Sequence, residues 1–460
     1  MFTSFDDKLH EECGVFGVYS SGNQVANMIY YGLVALQHRG QESAGMSVTD
    51  TNGPKGNIVT KKGMGLVNEV FSGDVLKNIS GNMGIGHVRY STTGGSLPEN
   101  AQPIAMNYIK GNISIVHNGN IMNAIELKER QMKRGQAHYT TSDTEVLAYE
   151  IISERLKCDS IEEAVKNASK SLKGGYACII MSPRKLVAIR DPKGIKPLVI
   201  GKKGDDYIVA SESAAIVSVG GELIRDVMPG EIITISENGL KSDYIINDGH
   251  CGHCIFEYIY FARIDSIIDG VSVYDARLKA GAALARSYKV DADIVVGVPD
   301  SGIAAAIGYS KESGIPFSLA FHKNSYIGRS FIKPTKEERN NAVNMKLSVI
   351  KEIVKGKRLV LIDDSIVRGT TMNHIVTMLK KAGALEVHVR VSSPPFLFPC
   401  YYGTDVPSSG QLIASTHSVE DVCKSIGADS LGYLKISDFK YMVGDMDICS
   451  ACFDEKYPII

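Results

Sequence analysis

Cys13 stands at the head of the first apolar run, in Glu11-Glu12-Cys13-Gly14-Val15-Phe16-Gly17. A thiol is a strong nucleophile once deprotonated, and a free α-amino group beside it can act as its base. That chemistry needs residues 1–12 removed, so proteolytic or autocatalytic cleavage between Glu12 and Cys13 is expected. A second chemical pattern is Arg358-Leu359-Val360-Leu361-Ile362-Asp363-Asp364-Ser365-Ile366-Val367-Arg368-Gly369-Thr370-Thr371. Four apolar residues deliver two acids to a loop of Ser, Arg, Gly and Thr that enters a helix. N–H groups and hydroxyls at a helix N-terminus hold a phosphate, and Gly369 allows close backbone approach. Paired carboxylates there can order ribose hydroxyls or a hydrated Mg²⁺. A third pattern is Cys449-Ser450-Ala451-Cys452, with Cys254 and Cys400 in motif-like surroundings. Four thiolates suit either Zn²⁺ or a [4Fe–4S] cluster, and spacing alone leaves both open.

The elements that must carry these residues fall into two styles. Up to about residue 245, short alternating segments read as strands: Gly14–Tyr19, Gly45–Val48, Met83–Val88, Asn112–Val116, Ala177–Met181 and Lys185–Ile189. Helical spacing runs through Val25, Met28, Ile29, Leu33 and Leu36, and again over Thr144–Leu156 behind Ser142-Asp143. Sheets sandwiched by helices, an α+β layering, are expected. The turn-like Asn247-Asp248-Gly249-His250 marks a boundary, giving domains over 13–245 and 246–460 after the 1–12 propeptide. Beyond it, helices at Ala276–Tyr288, Ile303–Lys311 and Thr371–Lys381 alternate with strands at Ala292–Val298, Arg358–Ile362 and Val387–Val391. Such βα alternation implies a parallel sheet with ligands beyond the carboxyl ends of its strands. Val296-Gly297-Val298-Pro299-Asp300-Ser301-Gly302 sits where a second ligand-facing loop belongs, although a proline turn with Ser301 capping the next helix explains it nearly as well. The polar stretch from His322 to Lys346 reads as a lid.

Composition narrows the classes. At ~150 residues per domain, 460 residues call for two or three domains. Lys plus Arg is 50 against 51 Asp plus Glu, a balance that argues against nucleic-acid or anionic-membrane partners. No apolar run is long enough to span a membrane, and the acidic N-terminus is unlike a signal peptide, so a cytoplasmic location is expected. Nine cysteines without an export signal favour metal or catalytic roles over a disulfide framework.

The set of Cys13, Arg39 in Gln37-His38-Arg39-Gly40-Gln41-Glu42-Ser43-Ala44-Gly45, Arg89 in Gly86-His87-Val88-Arg89-Tyr90-Ser91-Thr92-Thr93-Gly94, His117-Asn118-Gly119-Asn120 and Ser142-Asp143-Thr144 resembles the N-terminal-nucleophile glutamine amidotransferase domain. The Asp363–Thr371 segment resembles the phosphoribosyl diphosphate motif of type I phosphoribosyltransferases. From Glu11 to Cys452 the chain is similar to the glutamine phosphoribosylpyrophosphate amidotransferase family, in its iron–sulfur, propeptide-bearing subclass. The resemblance implies an αββα sandwich followed by an α/β phosphoribosyltransferase domain. It implies a pentosyltransferase with a glutaminase half-reaction that uses L-glutamine and 5-phosphoribosyl 1-diphosphate.

The resemblance also assigns roles. Arg39, Arg89 and Asp143 would bind glutamine: a guanidinium suits the α-carboxylate and a carboxylate the α-ammonium. Asn118 and the Gly119 N–H would hold the oxyanion. Asp363, Asp364, Ser365, Val367, Arg368, Gly369, Thr370 and Thr371 would bind the phosphoribosyl diphosphate, with Tyr326, Arg329 and Lys346 from the lid. Ser301, Asp363 and Asp364 would hold one Mg²⁺ per subunit. Cys254, Cys400, Cys449 and Cys452 would hold one structural [4Fe–4S] cluster, with Cys251 and His253 competing for the place of Cys254. Purine nucleotides are the implied feedback inhibitors and a homotetramer the implied assembly. Two departures from the family pattern, Ser325 in the lid and Asn344 before Met345-Lys346-Leu347, remove charge near the phosphates. Two rival classes are a non-enzymatic sensor of phosphoribosyl diphosphate, which leaves Cys13, Arg89 and Asp143 without a use, and an amidotransferase feeding another acceptor, which lacks the Asp363-Asp364 loop.

Overall fold

The computed structural model describes residues 13–22, 24–53, 57–90, 95–245, 249–324, 347–406 and 408–459. Its first half is built on two stacked antiparallel sheets. One has seven strands in the order Glu222–Asp226, Val199–Lys203, Asp206–Ala210, Gly14–Tyr19, Met83–Arg89, Ser43–Thr49 and Ile58–Met64. The other has six, in the order Gly239–Tyr244, Glu231–Ser236, Leu186–Arg190, Gly174–Met181, Gly111–Ile121 and Ile104–Tyr108. Alternating side chains face each other between the sheets. Val15, Met83 and Ile85 from one meet Val116, Ile179, Leu186 and Ile233 from the other. Helix Ala26–Ala35 covers the outer face of the first sheet, and helices Asp143–Arg155 and Ile161–Ser169 cover that of the second. This is the αββα layering expected from the sequence.

Two differences from the sequence reading have physical causes. The strand expected over Asn112–Val116 runs from Gly111 to Ile121, because Gly174–Met181 pairs with it through the polar His117–Asn120 stretch. The strands between Val199 and Tyr244 were not expected. They are short hairpins with charged ends, such as Asp206 and Lys203, that break the alternation.

The second half carries a four-stranded parallel sheet in the order Ile294–Gly297, Arg358–Asp363, Glu386–Val391 and Ser430–Tyr433. Its first two strands are apolar on both faces, as doubly covered parallel strands tend to be, while Glu386–Val391 turns His388 and Arg390 to one face. Val360 and Ile362 pack toward helices Val273–Ser287 and Ile303–Ser313, while Leu359 and Leu361 pack toward Thr370–Lys381 and Val419–Ile426. The C-terminal segment returns to the start of this half, where Ile448–Cys449 pairs in parallel with His253–Cys254. Among the described residues no helix is long and apolar enough to cross a membrane.

Candidate active sites and a cysteine recess

Cys13 precedes the central strand Gly14–Tyr19, whose neighbour Met83–Arg89 runs antiparallel with Gly14 opposite Val88. That register carries Arg89 and Tyr90 to Cys13, whose Sγ donates to the Tyr90 carbonyl at 3.4 Å. Ser211 Oγ accepts the Val15 N–H at 2.9 Å and fixes the strand start. Burial pushes the thiol up to about 11, more than the Tyr90 contact and the Arg89 charge lower it, while the Glu42 and Asp143 carboxylates raise it further. Arg89, Glu42 and Asp143 therefore all lie within electrostatic reach of the sulfur.

Arg89 is buried and paired with Glu42, a residue sequence reasoning did not single out. Asp143 opens its helix behind Ser142, whose Oγ accepts the Thr144 N–H at 3.2 Å. Its carboxylate accepts the Ile121 N–H at 3.0 Å and faces His117 Nδ1 at 3.6 Å. Burial alone would raise this carboxyl; His117 and the backbone N–H groups outweigh it and hold it below the usual range. A negative charge is thus preserved on Asp143 at the foot of the Asn118-Gly119 strand.

Asn118 is 1% exposed, and its Nδ2 has no hydrogen-bond partner among the described residues. A buried amide donor held without a partner costs free energy, a cost accepted where a ligand completes it. Gly119 lies beside it with φ +133°, and a Cβ there would stand 2.0 Å from the Gly175 carbonyl oxygen. Only glycine fits this position.

Arg39 does something other than the expected glutamine contact. Its side chain is fully buried and spent on carboxylates: Nη1 donates to Glu212 at 2.6 Å and to Glu257 at 3.0 Å, and Nη2 donates to Glu257 at 2.5 Å. Its Nε donates to the Cys13 carbonyl oxygen at 3.2 Å. Two carboxylates already engage the guanidinium, so Arg39, expected to bind glutamine, is seen here holding the backbone of Cys13.

In the second half, Asp363 ends its strand and Asp364 follows it, both buried at the carboxyl edge of the sheet. The Asp364 N–H donates to Asp363 Oδ1 at 3.0 Å, and Ser365 Oγ donates to Asp364 Oδ2 at 2.5 Å. Val367 is buried, its carbonyl accepting the Ile413 N–H at 2.9 Å, while Arg368 Nη2 reaches Gln411 at 2.8 Å. Gly369, at φ +84°, caps helix Thr370–Lys381, so Thr370 and Thr371 form its first turn. Ser301 follows the adjoining strand Ile294–Gly297. The next residue, Gly302, packs so tightly that a Cβ would stand 2.3 Å from the Ile362 carbonyl oxygen. Ser301 and the two acids therefore sit on neighbouring strand ends. Tyr326, Arg329, Lys346, Ser325 and Asn344 lie outside the described residues.

Cys254, Cys400, Cys449 and Cys452 line one recess, with Phe256 and Phe396 in its apolar wall. Cys254 pairs in register with Cys449, and the Cys452 carbonyl accepts the N–H groups of Leu397 and Phe398. None of the four is in a disulfide. His253, one competitor for the place of Cys254, has its Nδ1 2.8 Å from Asp269. Cys251, the other, does not line the recess. Among the described residues no three His, Cys, Asp or Glu side chains are grouped to hold a single metal ion.

Comparison with known proteins finds two kinds of domain in the chain. A family model for a glutamine amidotransferase domain matches residues 87–218, and one for a phosphoribosyl transferase domain matches residues 272–393. The chain is 46% identical over 462 residues to the amidophosphoribosyltransferase of Methanocaldococcus jannaschii, covering 97% of both. It is 47% identical to that of Bacillus subtilis, covering 98% of this chain and 94% of the relative. The solved B. subtilis glutamine phosphoribosylpyrophosphate amidotransferase, complexed with ADP and GMP, matches with a TM-score of 0.91 at 45% identity, covering 97% of this chain and 98% of that one. With both domains in the same order and such identity along nearly the whole length, the chain belongs to the amidophosphoribosyltransferase family.

Proposed function

We infer that this chain hydrolyses glutamine at Cys13 and passes the ammonia to 5-phosphoribosyl 1-diphosphate, giving 5-phosphoribosylamine, glutamate and diphosphate, the first step of purine biosynthesis. The observation that carries the reading is the pairing in one chain of a thiol at a strand start, within electrostatic reach of Arg89 and Asp143, with a strand-end Asp363-Asp364 pair leading into a Gly-capped helix. Arg89, held by Glu42, presents its guanidinium to the substrate α-carboxylate, and Asp143 faces the α-ammonium. The Cys13 sulfur attacks the carboxamide carbon, and the oxyanion meets the Asn118 amide and the Gly119 N–H. Ammonia leaves, and water then releases glutamate from the thioester. Ammonia displaces diphosphate from C1 of the ribose, with the Arg368–Thr371 loop holding the 5-phosphate at the helix N-terminus.

With the Glu12–Cys13 peptide intact the chain has no α-amine at Cys13, and its thiol, near 11, is protonated at neutral pH. Removal of residues 1–12 frees that amine as the proton acceptor.

Asp363 and Asp364, with Ser301 on the adjoining strand end, are hard oxygen donors suited to Mg²⁺, which supplies charge neutralisation for the departing diphosphate. The cysteine recess suits a [4Fe–4S] cluster by its donor set. Four uncrosslinked thiols surround it, and burial pushes Cys449 up to about 12 and Cys452 up as well, so their thiolates need a bound cation to form. Such a cluster would tie the Cys449–Cys452 turn to the second half. Homotetramer assembly, a cytoplasmic location and feedback by purine nucleotides belong to the same reading, the last supported by the nucleotides in the B. subtilis relative.

The deciding experiment measures diphosphate release from phosphoribosyl diphosphate with glutamine or with ammonia as the nitrogen source. Cys13→Ala is expected to lose glutamine use and keep ammonia use. A Cys13→Ala protein that still turns over glutamine overturns the assignment.

A further inference from the structure

We propose that Glu257, which belongs to the phosphoribosyltransferase half, is a positioning residue for the glutaminase nucleophile and acts through Arg39. The inference rests on the reading of Cys13 as the nucleophile. Arg39 lies between them: its Nε donates to the Cys13 carbonyl at 3.2 Å, and its two terminal nitrogens both donate to Glu257, at 3.0 and 2.5 Å. A planar guanidinium gripped at two corners by one carboxylate has its third nitrogen aimed, since the fork is rigid. The Glu257 carboxylate therefore sets where Nε stands, and Nε sets the backbone on which the sulfur is carried.

Glu257 is itself mounted firmly on the second half. It begins a single π turn, Glu257–Phe261. Buried Arg277 braces that turn from helix Val273–Ser287, donating to the carbonyls of Tyr258 at 2.9 Å, Tyr260 at 2.9 Å and Ala262 at 2.7 Å. Phe256, just before the turn, meets Phe261 and Phe396 edge to face. The other carboxylate on Arg39 ties the halves in the opposite direction. Glu212 comes from the first half, and its Oε2 accepts the Arg263 N–H at 2.8 Å and the Ser266 hydroxyl at 2.7 Å. The three charges are completely buried, and breaking such a set leaves a charge without its partner. The nucleophile of the first half is thus aligned through Arg39 by a carboxylate that lies 218 residues beyond Arg39 in the sequence.

Replacing Glu257 by glutamine keeps its shape and removes its charge. Arg39 is then drawn toward Glu212, and Nε leaves the Cys13 carbonyl. In the processed enzyme Glu257→Gln is expected to lower glutamine-dependent kcat at least tenfold. KM for glutamine should stay within about threefold, because Arg89 and Asp143 are untouched, and ammonia-dependent turnover within about twofold. Arg39→Lys combined with Glu257→Gln should lose no more than the worse single variant, since both break the same link. Glu257→Asp, a milder change that keeps the charge, should show the same kcat-only loss at smaller size and carries the test if Glu257→Gln does not fold. A parallel fall of glutamine- and ammonia-dependent rates, a loss confined to KM, full additivity with Arg39→Lys, or an unchanged glutamine rate each overturns the proposal. Cys13→Ala is run alongside: if it still uses glutamine, the nucleophile reading falls and takes this inference with it. If it loses glutamine use while Glu257→Gln does not, only the link between the halves falls.

Discussion

Gly403 lies against the backbone of Gly119: a Cβ on Gly403 would stand 2.8 Å from the Gly119 carbonyl carbon and 3.1 Å from its Cα. The two glycines come from different halves of the chain. Gly403 adopts φ +105°, a conformation that side chains disfavour, and two residues earlier the Tyr401 carbonyl accepts the Asn120 amide at 2.9 Å. The segment that starts at Cys400 is therefore the outer support of the Asn118–Asn120 stretch.

That contact predicts the behaviour of Gly403→Ala. The new methyl can be accommodated only by moving Gly119, whose own place is fixed on the other side by the Gly175 carbonyl. Loss of an oxyanion donor costs on the order of a hundredfold in kcat, so a donor shifted by a few tenths of an ångström should cost roughly tenfold. Glutamine-dependent kcat is expected to fall by about that factor while ammonia-dependent turnover falls much less. Equal losses in both assays would show that the methyl disturbs the whole second half rather than the Gly119 N–H.

Asp143 gives a pH prediction with a definite sign. His117 and the backbone N–H groups hold its carboxyl below the ordinary value, so it stays charged as pH falls from 7 and loses its charge only under the usual carboxylate range of about 4. Equilibrium binding of glutamine to Cys13→Ala, which cannot turn it over, should be flat between pH 7 and 5 and weaken below that. Asp143→Asn should weaken binding at least tenfold across the whole range. Binding to Cys13→Ala that already declines between pH 7 and 6 would mean that another group controls the ammonium contact.

The Cys13 thiol should report its own processing. At about 11 in the uncleaved chain, only on the order of one sulfur in a thousand is ionised at pH 8. A new α-amine at Cys13 offers that proton an acceptor. Alkylation by iodoacetamide at pH 8, followed by mass spectrometry of the Cys13 peptide, should run at least tenfold faster in chains that begin at Cys13 than in chains retaining Glu12. Equal rates would leave the amine without a role.

Much of this was legible in the sequence, for local reasons. The strand–acid–loop–helix run from Arg358 to Thr371 is contiguous, so one window contains both the apolar strand and the cap that fixes the acids at its edge. Cys13, Arg89, Asn118 and Asp143 stood out because the short motifs around them resemble those of the glutamine amidotransferase domain, and each motif fits in one window of the sequence. What could not be read was partnership across distance. The resemblance made Arg39 a glutamine contact; the carboxylates it meets, Glu212 and Glu257, are 173 and 218 residues away. Glu42 and His117 stand beside recognised residues, yet nothing in their own sequence surroundings says that they hold Arg89 and Asp143. The edge strand Ile58–Met64 alternates half-buried Ile58 and Thr60 with exposed Val59 and Lys61, a weak and partly inverted pattern.

The choice among Cys251, His253 and Cys254 turns on the same kind of distance, and here the fold separates them. His253 is bound to Asp269, and Arg190 Nη2 stands 3.2 Å from the same ring nitrogen. The Cys251 N–H lies 3.4 Å from Asp447 Oδ2, outside the recess. Cys254 is held opposite Cys449 by the short parallel ladder, so the same backbone pairing that returns the C-terminus sets two sulfurs side by side. Cys251→Ser should therefore keep about four irons and their sulfides per chain, with the broad visible absorbance of a cluster. Cys254→Ser should lose most of the iron and, because the cluster would anchor the Cys449–Cys452 turn, expose the C-terminal segment to limited proteolysis. Stoichiometric zinc in the parent protein, without iron or visible absorbance, would assign the recess to a tetrahedral ion instead, since the same four thiolates can satisfy either charge.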